Sequence, residues 1–481
     1  MVSLIEVSEI AQTAHRMWRL HQIELEKFDR IHDYILGRRG KPSLPTDASA
    51  EIKEIAQICV HNVLTLVLDA FVQNLSVVGF RNASADANDA GWEIWQRNQM
   101  DARQAEIHSA AVKYGVGYCV AIPGLDGVVL KPRSPRQLIA VYEDPQVDRW
   151  PQYALETWID NSDAEPRRKG MFYDDVFMYE LDLGPLSTPP VEGDDQVKRQ
   201  YLTLHEGSIG DAVRHGGRYK GRPVCPVVRY VNRRDAEDLV EGEIERLITD
   251  QRAINEVNFD RMVVARFGAF PQKVITGWTG TPDEVIRMSA ARAATFEDEG
   301  VKIDSWPAAT LDPYNKLIED KVQHVATRAQ VSPAYIVGKL VNLSADALAA
   351  AEKNQQRKLA AMQDSHGESH EQLLELAQEM SGGTVDDAAE VVWKDTEARS
   401  MAATVDAICK LGQAQAAGYP IEPYLSLIPG FTQQMVQAAE QKARTVRSVQ
   451  ITNALMRSPG VGDGGVSGGA PLPAEPSQPA S

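Results

Sequence analysis

The sequence predicts a mainly helical α+β protein, and three features of the chain point to this class. Long segments before Gly115 and after Asn232 carry apolar residues every three to four positions, the spacing of amphipathic helices. Between Gly117 and His205 the apolar residues alternate with a period of two, and Pro and Gly clusters separate the runs, which is typical of antiparallel strands. The chain has 481 residues, enough for roughly three domains.

Three helices are predicted before the strand region. The first covers residues 5–36 and ends at Gly37, the second covers 52–74 with a wide apolar face, and the third covers 89–114. A short strand at 75–80 separates the second helix from the third. Apolar runs then predict five further strands, at 118–122, 137–142, 153–158, 175–181 and 224–230.

Two helices with apolar stripes bracket a small insert in the second half of the chain. The first is predicted over 240–267 and the second over 313–329, where Ile318, Val322 and Val325 recur at helical spacing. The insert at 271–307 is expected to contain a short strand, a helix at 282–293 and another short strand.

A long helix follows, predicted from Ser344 as N-cap to about Met380. Its leucines are spread thinly among Ala, Gln, Lys and Glu, and it lacks a broad apolar stripe. A helix that is polar all round bridges solvent or packs against another molecule, so the pattern indicates assembly. A strand at 390–393 and helices at 396–417 and 432–456 are expected to follow. The Gly/Pro/Ser/Ala-rich tail at 458–481 is predicted to be disordered.

The composition excludes several classes of protein. The net charge is −17 and the sequence pI is near 5.1, whereas a conventional DNA-binding domain carries a basic patch or a high pI. An acidic chain could still surround nucleic acid that must slide, although composition alone favours no nucleic-acid role. Four scattered cysteines argue against a zinc site or a disulfide framework and indicate a reducing compartment. Neither a signal peptide nor a membrane-spanning segment is expected.

Motifs for catalysis are weak, so no enzymatic activity, no cofactor and no metal is expected. A phosphate-binding P-loop is absent, and the glycines at 115–117 precede a strand, which does not fit a dinucleotide site. His366 and His370 stand at i and i+4, a spacing that can share a metal, but Gly367 lies between them and a solvated helix face is favoured. A metal-dependent hydrolase therefore stays only as the weakest alternative.

An acidic stripe occupies the C-terminal end of the long helix. Glu371, Glu375 and Glu379 are four residues apart, where like charges destabilise a helix by roughly 0.2–0.5 kcal/mol per pair, and they oppose the helix dipole. The stripe is expected to meet a basic surface of an adjacent subunit or to line a channel that repels phosphate. Coincidence is the open alternative.

Five stretches of the chain carry motifs that occur in this order in one family. They are a V-x-G-F segment at 75–80, a W-x-x-N run at 92–98, an H-x-x-A-x-x-Y-G run at 108–115, a P-V-V-x-x-x-N-R strand at 226–233, and an N-x-S-A-x-A-L junction at 342–348. Through them the chain resembles the Gp6-like portal family of tailed bacteriophages, common among phages of actinobacteria. One departure is Gly242-Glu243, which lacks the serine of the Gly-x-Ser-Glu run that relatives often show. It bears on the local cap of the first stem helix.

The resemblance implies a portal-type architecture with an antiparallel sheet in the wing and a small α/β clip insert. The implied divisions are wing 1–235, first stem helix 236–268, clip 269–310, second stem helix 311–330, tunnel loop 331–343, long wing helix and return strand 344–395, crown helices 396–457 and tail 458–481. It further implies a homo-oligomeric ring, expected to be a dodecamer, at the capsid vertex of the virion, assembled in the host cytoplasm. The implied partners are double-stranded DNA, the terminase large subunit, head-completion or adaptor proteins, and the major capsid and scaffold proteins, with no membrane.

Within this resemblance, the tunnel loop supplies the residues expected to approach DNA. These are Lys339, Val341, Asn342 and Ser344, and any phosphate contact of Lys339 or Asn342 would be weak and salt-sensitive. Loop solubility explains the same residues equally well. The alternative function is another phage structural protein, a head-tail adaptor or capsid component, which would not need the helix–insert–helix segment.

Overall fold

The computed structural model describes residues 7–82, 88–162, 165–185, 208–268, 273–276, 302–305, 310–332, 335–336, 345–386, 388–394, 409–410 and 412–413. The chain divides into two compact units, Met1–Val405 and Asp406–Ser481. In the second unit, the four described residues are helical and exposed. The expected clip helix at 282–293, most of the crown helices and the tail lie outside the described residues.

Helices predominate in the first unit, as the sequence predicts. In chain order they are α1 Val7–Ile35, α2 Ala50–Ile58, α3 Leu64–Val72, α4 Asp89–Arg97, α5 Met100–Tyr114, α6 Ile248–Gly268, α7 Asp312–Ala329 and α8 Ala345–Met380. The strands are β1 Val77–Arg81, β2 Val116–Gly124, β3 Gly127–Arg133, β4 Leu138–Val141, β5 Tyr153–Asp160, β6 Arg167–Tyr173, β7 Phe177–Pro185, β8 Val213–Arg214, β9 Arg218–Tyr219, β10 Arg222–Pro223, β11 Val227–Val231, β12 Lys273–Thr276, β13 Lys302–Ser305 and β14 Glu390–Trp393.

The strands form small antiparallel sheets. One sheet has five strands in the order β4-β5-β6-β7-β8, and a second has three in the order β11-β2-β3. Three further pairs join β1 to β14, β9 to β10, and β12 to β13. The last pair confirms the two short strands expected in the insert between α6 and α7. The first pair brings the return strand back to the N-terminal part of the chain, with Phe80 opposite Val391.

Three apolar clusters hold these elements together. The first joins α1, α3 and α5 to α6 and α7, and reaches α8 through Leu359 and Met362. The second joins α4, α5 and the three-stranded sheet, and reaches α8 through the segment from Leu373 to Ala377. The third lies between the first half of α1 and the five-stranded sheet. The long helix α8 therefore contributes to two of the three clusters.

The expected second helix, at 52–74, is interrupted, which corrects the sequence-based prediction. Residues 59–63 are not helical, and they separate α2 from α3. The backbone there is hydrogen-bonded by side chains of α6: Gln251 accepts from the amide of Val63 at 2.9 Å, and Asn258 donates to the carbonyl of Cys59 at 2.6 Å. These partners lie far away in sequence, and the interrupted segment itself contains neither Pro nor Gly.

Two other helices also differ from their predicted bounds. The helix expected at 89–114 breaks at Gln99, whose φ of 54° is left-handed, so α4 and α5 are separate. The first helix of the bracketing pair, expected from residue 240, begins at Ile248 after a short 3₁₀ turn, Glu245–Leu247.

Strands β3 and β6 are not predicted from the sequence. Basic residues, Gly and Pro break the apolar pattern of these two strands.

Polar side chains form hydrogen bonds with backbone groups at the outer edges of two strands, β3 and β1. Asn98 binds β3 twice, accepting from the amide of Leu130 at 2.8 Å and donating to the carbonyl of Val128 at 2.9 Å. Gln104 accepts from the amide of Val77 in β1 at 2.7 Å. An unpaired strand edge is a template for aggregation, so these contacts protect the small sheets.

The end of α7 provides a stability test. Gln330 caps this helix in the left-handed region, at φ 60°, which costs a non-glycine residue about 1 kcal/mol. We expect Gln330→Gly to raise the free energy of unfolding by roughly 0.5–1 kcal/mol. The matched control is Gln323→Gly, which makes the same change at an exposed helical position and should lower stability by about 1 kcal/mol. Equal effects of the two variants in chemical denaturation would contradict the prediction.

In the part of the chain that the structure describes, none of the helices combines the length and apolar character that crossing a membrane requires.

Candidate functional site

The long helix α8 is buried by its own chain towards its C-terminal end, contrary to the prediction from its polar composition, whereas Lys353, Asn354 and Arg357 in its first half are exposed. From Gln372 to Gln378 every residue is buried, and so are Leu359, Met362 and His366. A helix that is buried on all sides is normally apolar all round. Here much of the buried surface is polar, and it is satisfied by partners from distant parts of the chain.

The first of these partners are backbone carbonyls at the edge of the three-stranded sheet. Ser365 donates to the carbonyl of Val231 at 2.7 Å, and Ser369, one turn later, donates to the carbonyl of Arg229 at 3.0 Å. The serine spacing of one helical turn thus matches alternate carbonyls on the outer edge of β11. The hydrogen bonds explain why a helix without an apolar stripe can be buried.

The acidic stripe also finds partners within the chain. Glu371 accepts from the amide of Val391 at 3.1 Å, and Glu375 lies 2.5 Å from the guanidinium of Arg149. Glu379 uses both oxygens, accepting from the amides of Lys220 at 2.7 Å and Gly221 at 2.6 Å. The repulsion between the three carboxylates therefore has an intrachain explanation. Their contact with an adjacent subunit or a channel stays a prediction.

A directed chain of hydrogen bonds runs through the buried histidines beneath α8. His108 Nδ1 lies 3.0 Å from the carbonyl oxygen of Leu75, which can only accept, so the Nδ1 carries the proton. In neutral His108 the Nε2 is then an acceptor, and His370 Nε2, 2.9 Å away, must donate to it. The Nδ1 of His370 is left to accept from the hydroxyl of Tyr230 at 2.9 Å. Each tautomer follows from its neighbour.

His366 completes this cluster but is bonded differently. Its ring stacks on His108 with 5.4 Å between centroids, and within the described part of the chain neither of its ring nitrogens has a hydrogen-bond partner. Burial lowers the pKa of His366 to about 4, and it lowers the pKa values of His108 and His370 well below their ordinary value. All three rings are therefore neutral at pH 7.

The solvated helix face predicted for His366 and His370 is wrong, because both side chains are buried. Among the described residues, no group of three or more His, Cys, Asp or Glu side chains is placed to hold a metal ion. Helix α8 continues through Gly367, which faces the indole of Trp393. The imidazoles thus belong to the interior of the protein.

The approach to α6 crosses the end of α5 at two glycines. Gly115 has a φ of 95°, and a Cβ there would lie 2.8 Å from the carbonyl carbon of Glu241. At Gly242 a Cβ would lie 2.5 Å from the carbonyl oxygen of Lys113. A hydrogen bond joins the two segments where they cross: the amide of Glu243 donates to the carbonyl of Val112 at 2.8 Å. The backbones approach closely because both positions lack a side chain.

Glu243 and Lys358 form a buried ion pair beside this crossing. The ammonium of Lys358 lies 2.5 Å from the Glu243 carboxylate, and it donates to the carbonyl of Ala329, the last residue of α7, at 2.9 Å. Arg246 and Asn232 also bind the same carboxylate. Burial raises the pKa of Glu243, but attraction to Lys358 and Arg246 outweighs burial and holds that pKa below its ordinary value.

On its other side, α6 is bound by a ladder of amide side chains. Gln251 donates to the carbonyl of His61 at 2.7 Å, and Asn255 donates to the carbonyl of Gly40 at 3.0 Å. Arg261 extends the ladder to α7 through Asn315 at 3.0 Å. Polar contacts on two sides thus hold the start of the α6–α7 pair to the rest of the first unit, which we call the body.

The residues expected to approach DNA, Lys339, Val341, Asn342 and Ser344, lie outside the described residues. The sequence did not identify Lys358 and the Glu243 carboxylate as a pair, since they are 115 residues apart. His108, Tyr230 and Asn232 belong to the motifs at 108–115 and 226–233, and the structure brings these two motifs together beneath α8. In the sequence, the signal that could have pointed to these buried residues is the recurrence of polar residues within apolar segments.

Sequence comparisons with known proteins point to one protein family. The family model described as "Phage portal protein, SPP1 Gp6-like" matches residues 14–448. A "Portal protein" of Mycobacterium phage L5 is 24% identical over 384 residues, covering 75% of this chain and 74% of the relative. A "Portal protein" of Mycobacterium phage D29 is 26% identical over 366 residues, covering 72% and 71%. The solved structure "Virion of native gene transfer agent (GTA) particle" is 12% identical with a TM-score of 0.43, and the match covers 83% of this chain and 99% of that chain.

Proposed function

Since the chain belongs to the SPP1 Gp6-like phage portal family, we propose that it forms a ring whose central channel passes double-stranded DNA during packaging and ejection. The ring, expected to be a dodecamer, sits at a capsid vertex after assembly in the host cytoplasm. Its role is structural and non-enzymatic. Its partners are the terminase large subunit, head-completion or adaptor proteins, and the major capsid and scaffold proteins.

The observation that best supports this proposal is the helix–insert–helix segment. Helices α6 and α7 pack against each other, and the strands β12 and β13 pair between them in sequence. We assign 236–268 and 311–330 to the stem and 269–310 to the clip. By the same scheme 1–235 is the wing, 331–343 the tunnel loop, 344–395 the long wing helix and return strand, 396–457 the crown and 458–481 the tail.

Exposed apolar side chains near the insert support a ring contact. Phe267 at the end of α6 is 47% exposed, and Leu317 at the start of α7 is 43% exposed. The body-side half of α7 is packed by Val325, Ala326 and Ala329. A second copy, in a heterologous contact that closes into a ring, would cover the remaining apolar surface.

Electron microscopy of the purified protein tests the proposal. We expect closed rings with a central channel, whereas a monodisperse monomer at low and high protein concentration would contradict ring formation. The double variant Phe267→Asp/Leu317→Asp should reduce the fraction of rings while the subunit stays folded. Leu125→Asp, which adds one charge at a fully exposed turn far from the stem in sequence, is the control and should assemble like the wild type.

A further inference from the structure

We propose that Lys358 is a positioning residue, which fixes the direction in which the α6–α7 pair leaves the body of the subunit. Its ammonium joins three elements: the approach to α6 through Glu243, the last residue of α7 through the carbonyl of Ala329, and α8 itself. This inference rests on the proposed function, because it concerns how the stem is held within a ring.

Lys358 differs from the other groups around Glu243. Arg246 and Asn232 lie three and eleven residues from Glu243, so they bind it within one local segment. Lys358 comes from α8 and also reaches α7. A cation at the carbonyl end of a helix is favourable for the dipole and satisfies one of its unpaired carbonyls. The Lys358 side chain is only 12% exposed, and its ammonium lies 4.6 Å from the ring centroid of Phe71.

The α6–α7 pair has its own internal contacts, which do not involve Lys358. Asp250 in α6 pairs with Arg328 and lies 3.6 Å from His324, both in α7. The amide ladder of Gln251, Asn255 and Asn258 holds α6 against the chain at residues 40–63. If the Lys358 contact is lost, the pair should therefore stay intact and tilt about the ladder.

Lys358→Met is the decisive variant, because Glu243 keeps Arg246 and Asn232 while α7 loses its hydrogen bond from Lys358. Spin labels at Lys316→Cys in α7 and Leu125→Cys in the body would report the tilt. They are placed in a Cys409→Ser background, since Cys59, Cys119 and Cys225 are buried. Labelled subunits are diluted with unlabelled ones, so that each ring carries about one labelled copy.

We expect one narrow distance distribution for the wild type and a shifted or second population for Lys358→Met. Lys358→Arg, which keeps the charge and the donor, should restore the wild-type distribution. Lys353→Met, which removes an exposed lysine from the same helix, should leave it unchanged. Intact Lys358→Met rings with the wild-type distribution would overturn the inference and leave the portal proposal standing. Failure of the wild type to form rings would instead contradict the portal proposal.

A measurement on the wild type keeps the inference testable if Lys358→Met does not fold. The amide of Val331, bonded to Ala326 at 3.0 Å, and the amide of Glu243, bonded to Val112 at 2.8 Å, lie on the two sides of the Lys358 contact. If Lys358 holds them together, native-state hydrogen exchange should show a common opening equilibrium for both amides. A Val331 amide that exchanges tenfold faster or more than the Glu243 amide would overturn the inference.

Discussion

Replacing Gly242 by alanine is expected to lower the free energy of unfolding by about 3 kcal/mol. The added Cβ would lie 2.5 Å from the carbonyl oxygen of Lys113 and 2.7 Å from the amide nitrogen of Gly115. Both atoms belong to the backbone, so no side-chain rotation can relieve the clash. The approach to α6 would have to move away from the end of α5. That shift would also displace Glu243, whose amide is bonded to Val112.

Two other glycines isolate the origin of this effect. Gly221 has a φ of 76° but no atom within 4 Å of its added Cβ, so Gly221→Ala tests backbone strain alone and should cost about 1 kcal/mol. Gly268, at the end of α6, has neither a positive φ nor a close neighbour, so Gly268→Ala should be neutral or slightly stabilising. Denaturation curves measured by tryptophan fluorescence would give the order. If Gly242→Ala proves no less stable than Gly221→Ala, the close crossing of the two backbones is wrong.

Element positions could be predicted from the sequence wherever local signals decide them. Helix α7 and strand β14 have the predicted bounds to within one residue, since α7 has a clear apolar period and β14 is a short run of β-branched and aromatic residues. The interruption at 59–63 could not be predicted, because the groups that replace the helical hydrogen bonds lie in α6. His61 and its partner Gln251, for example, are 190 residues apart. Tertiary contacts override local propensity there.

The candidate site was predicted only in part, for a related reason. The polar composition of α8 suggested a helix that its own chain leaves exposed, yet the structure buries the C-terminal part of this helix through specific hydrogen bonds. Ser365 and Ser369 are indistinguishable in sequence from solvent-facing serines, and only the structure shows that both bind the edge of β11. Periodicity reports apolar surface, and it carries no information about polar groups that are buried in pairs.

The imidazoles beneath α8 should make the protein sensitive to acid. His108, His366 and His370 are buried in neutral form with lowered pKa values, while the unfolded chain takes up protons below about pH 6.5. The unfolded state then binds more protons than the folded state, so stability is full above that pH and falls as the pH decreases. For His366, whose folded pKa is about 4, the loss amounts to roughly 3 kcal/mol between pH 6.5 and 4.

Other groups modify this pH dependence without reversing it. His215, with a pKa of about 4, and His21, with a lowered pKa, are also buried and add to the loss of stability. Burial raises the pKa values of Glu24 and Glu371, so these carboxyls favour the folded state as the pH falls and offset part of the loss. The histidines of the cluster dominate, because burial lowers the pKa of His366 to about 4 and lowers the pKa values of His108 and His370 well below their ordinary value.

His366→Phe separates the contribution of the cluster from the rest. The variant removes two buried nitrogens that have no partner among the described residues, and each such group costs about 1–3 kcal/mol. Stability at pH 7 should therefore be kept or increased. Between pH 6.5 and 4 the slope of the free energy of unfolding should fall by up to about 1.4 kcal/mol per pH unit. The hydrogen bonds from Tyr230 through His370 and His108 to Leu75 do not use His366, so they stay intact.

The matched control is His324→Phe, which removes a histidine that is 57% exposed in α7. This variant leaves the three buried imidazoles unchanged, so the loss of stability that they cause below pH 6.5 should persist. Urea denaturation at half-unit steps of pH would give the three profiles. If His366→Phe and the wild type lose stability in parallel below pH 6.5, the acid sensitivity has another source. A shallower loss in His324→Phe than in the wild type would place that source on the surface of the helix pair.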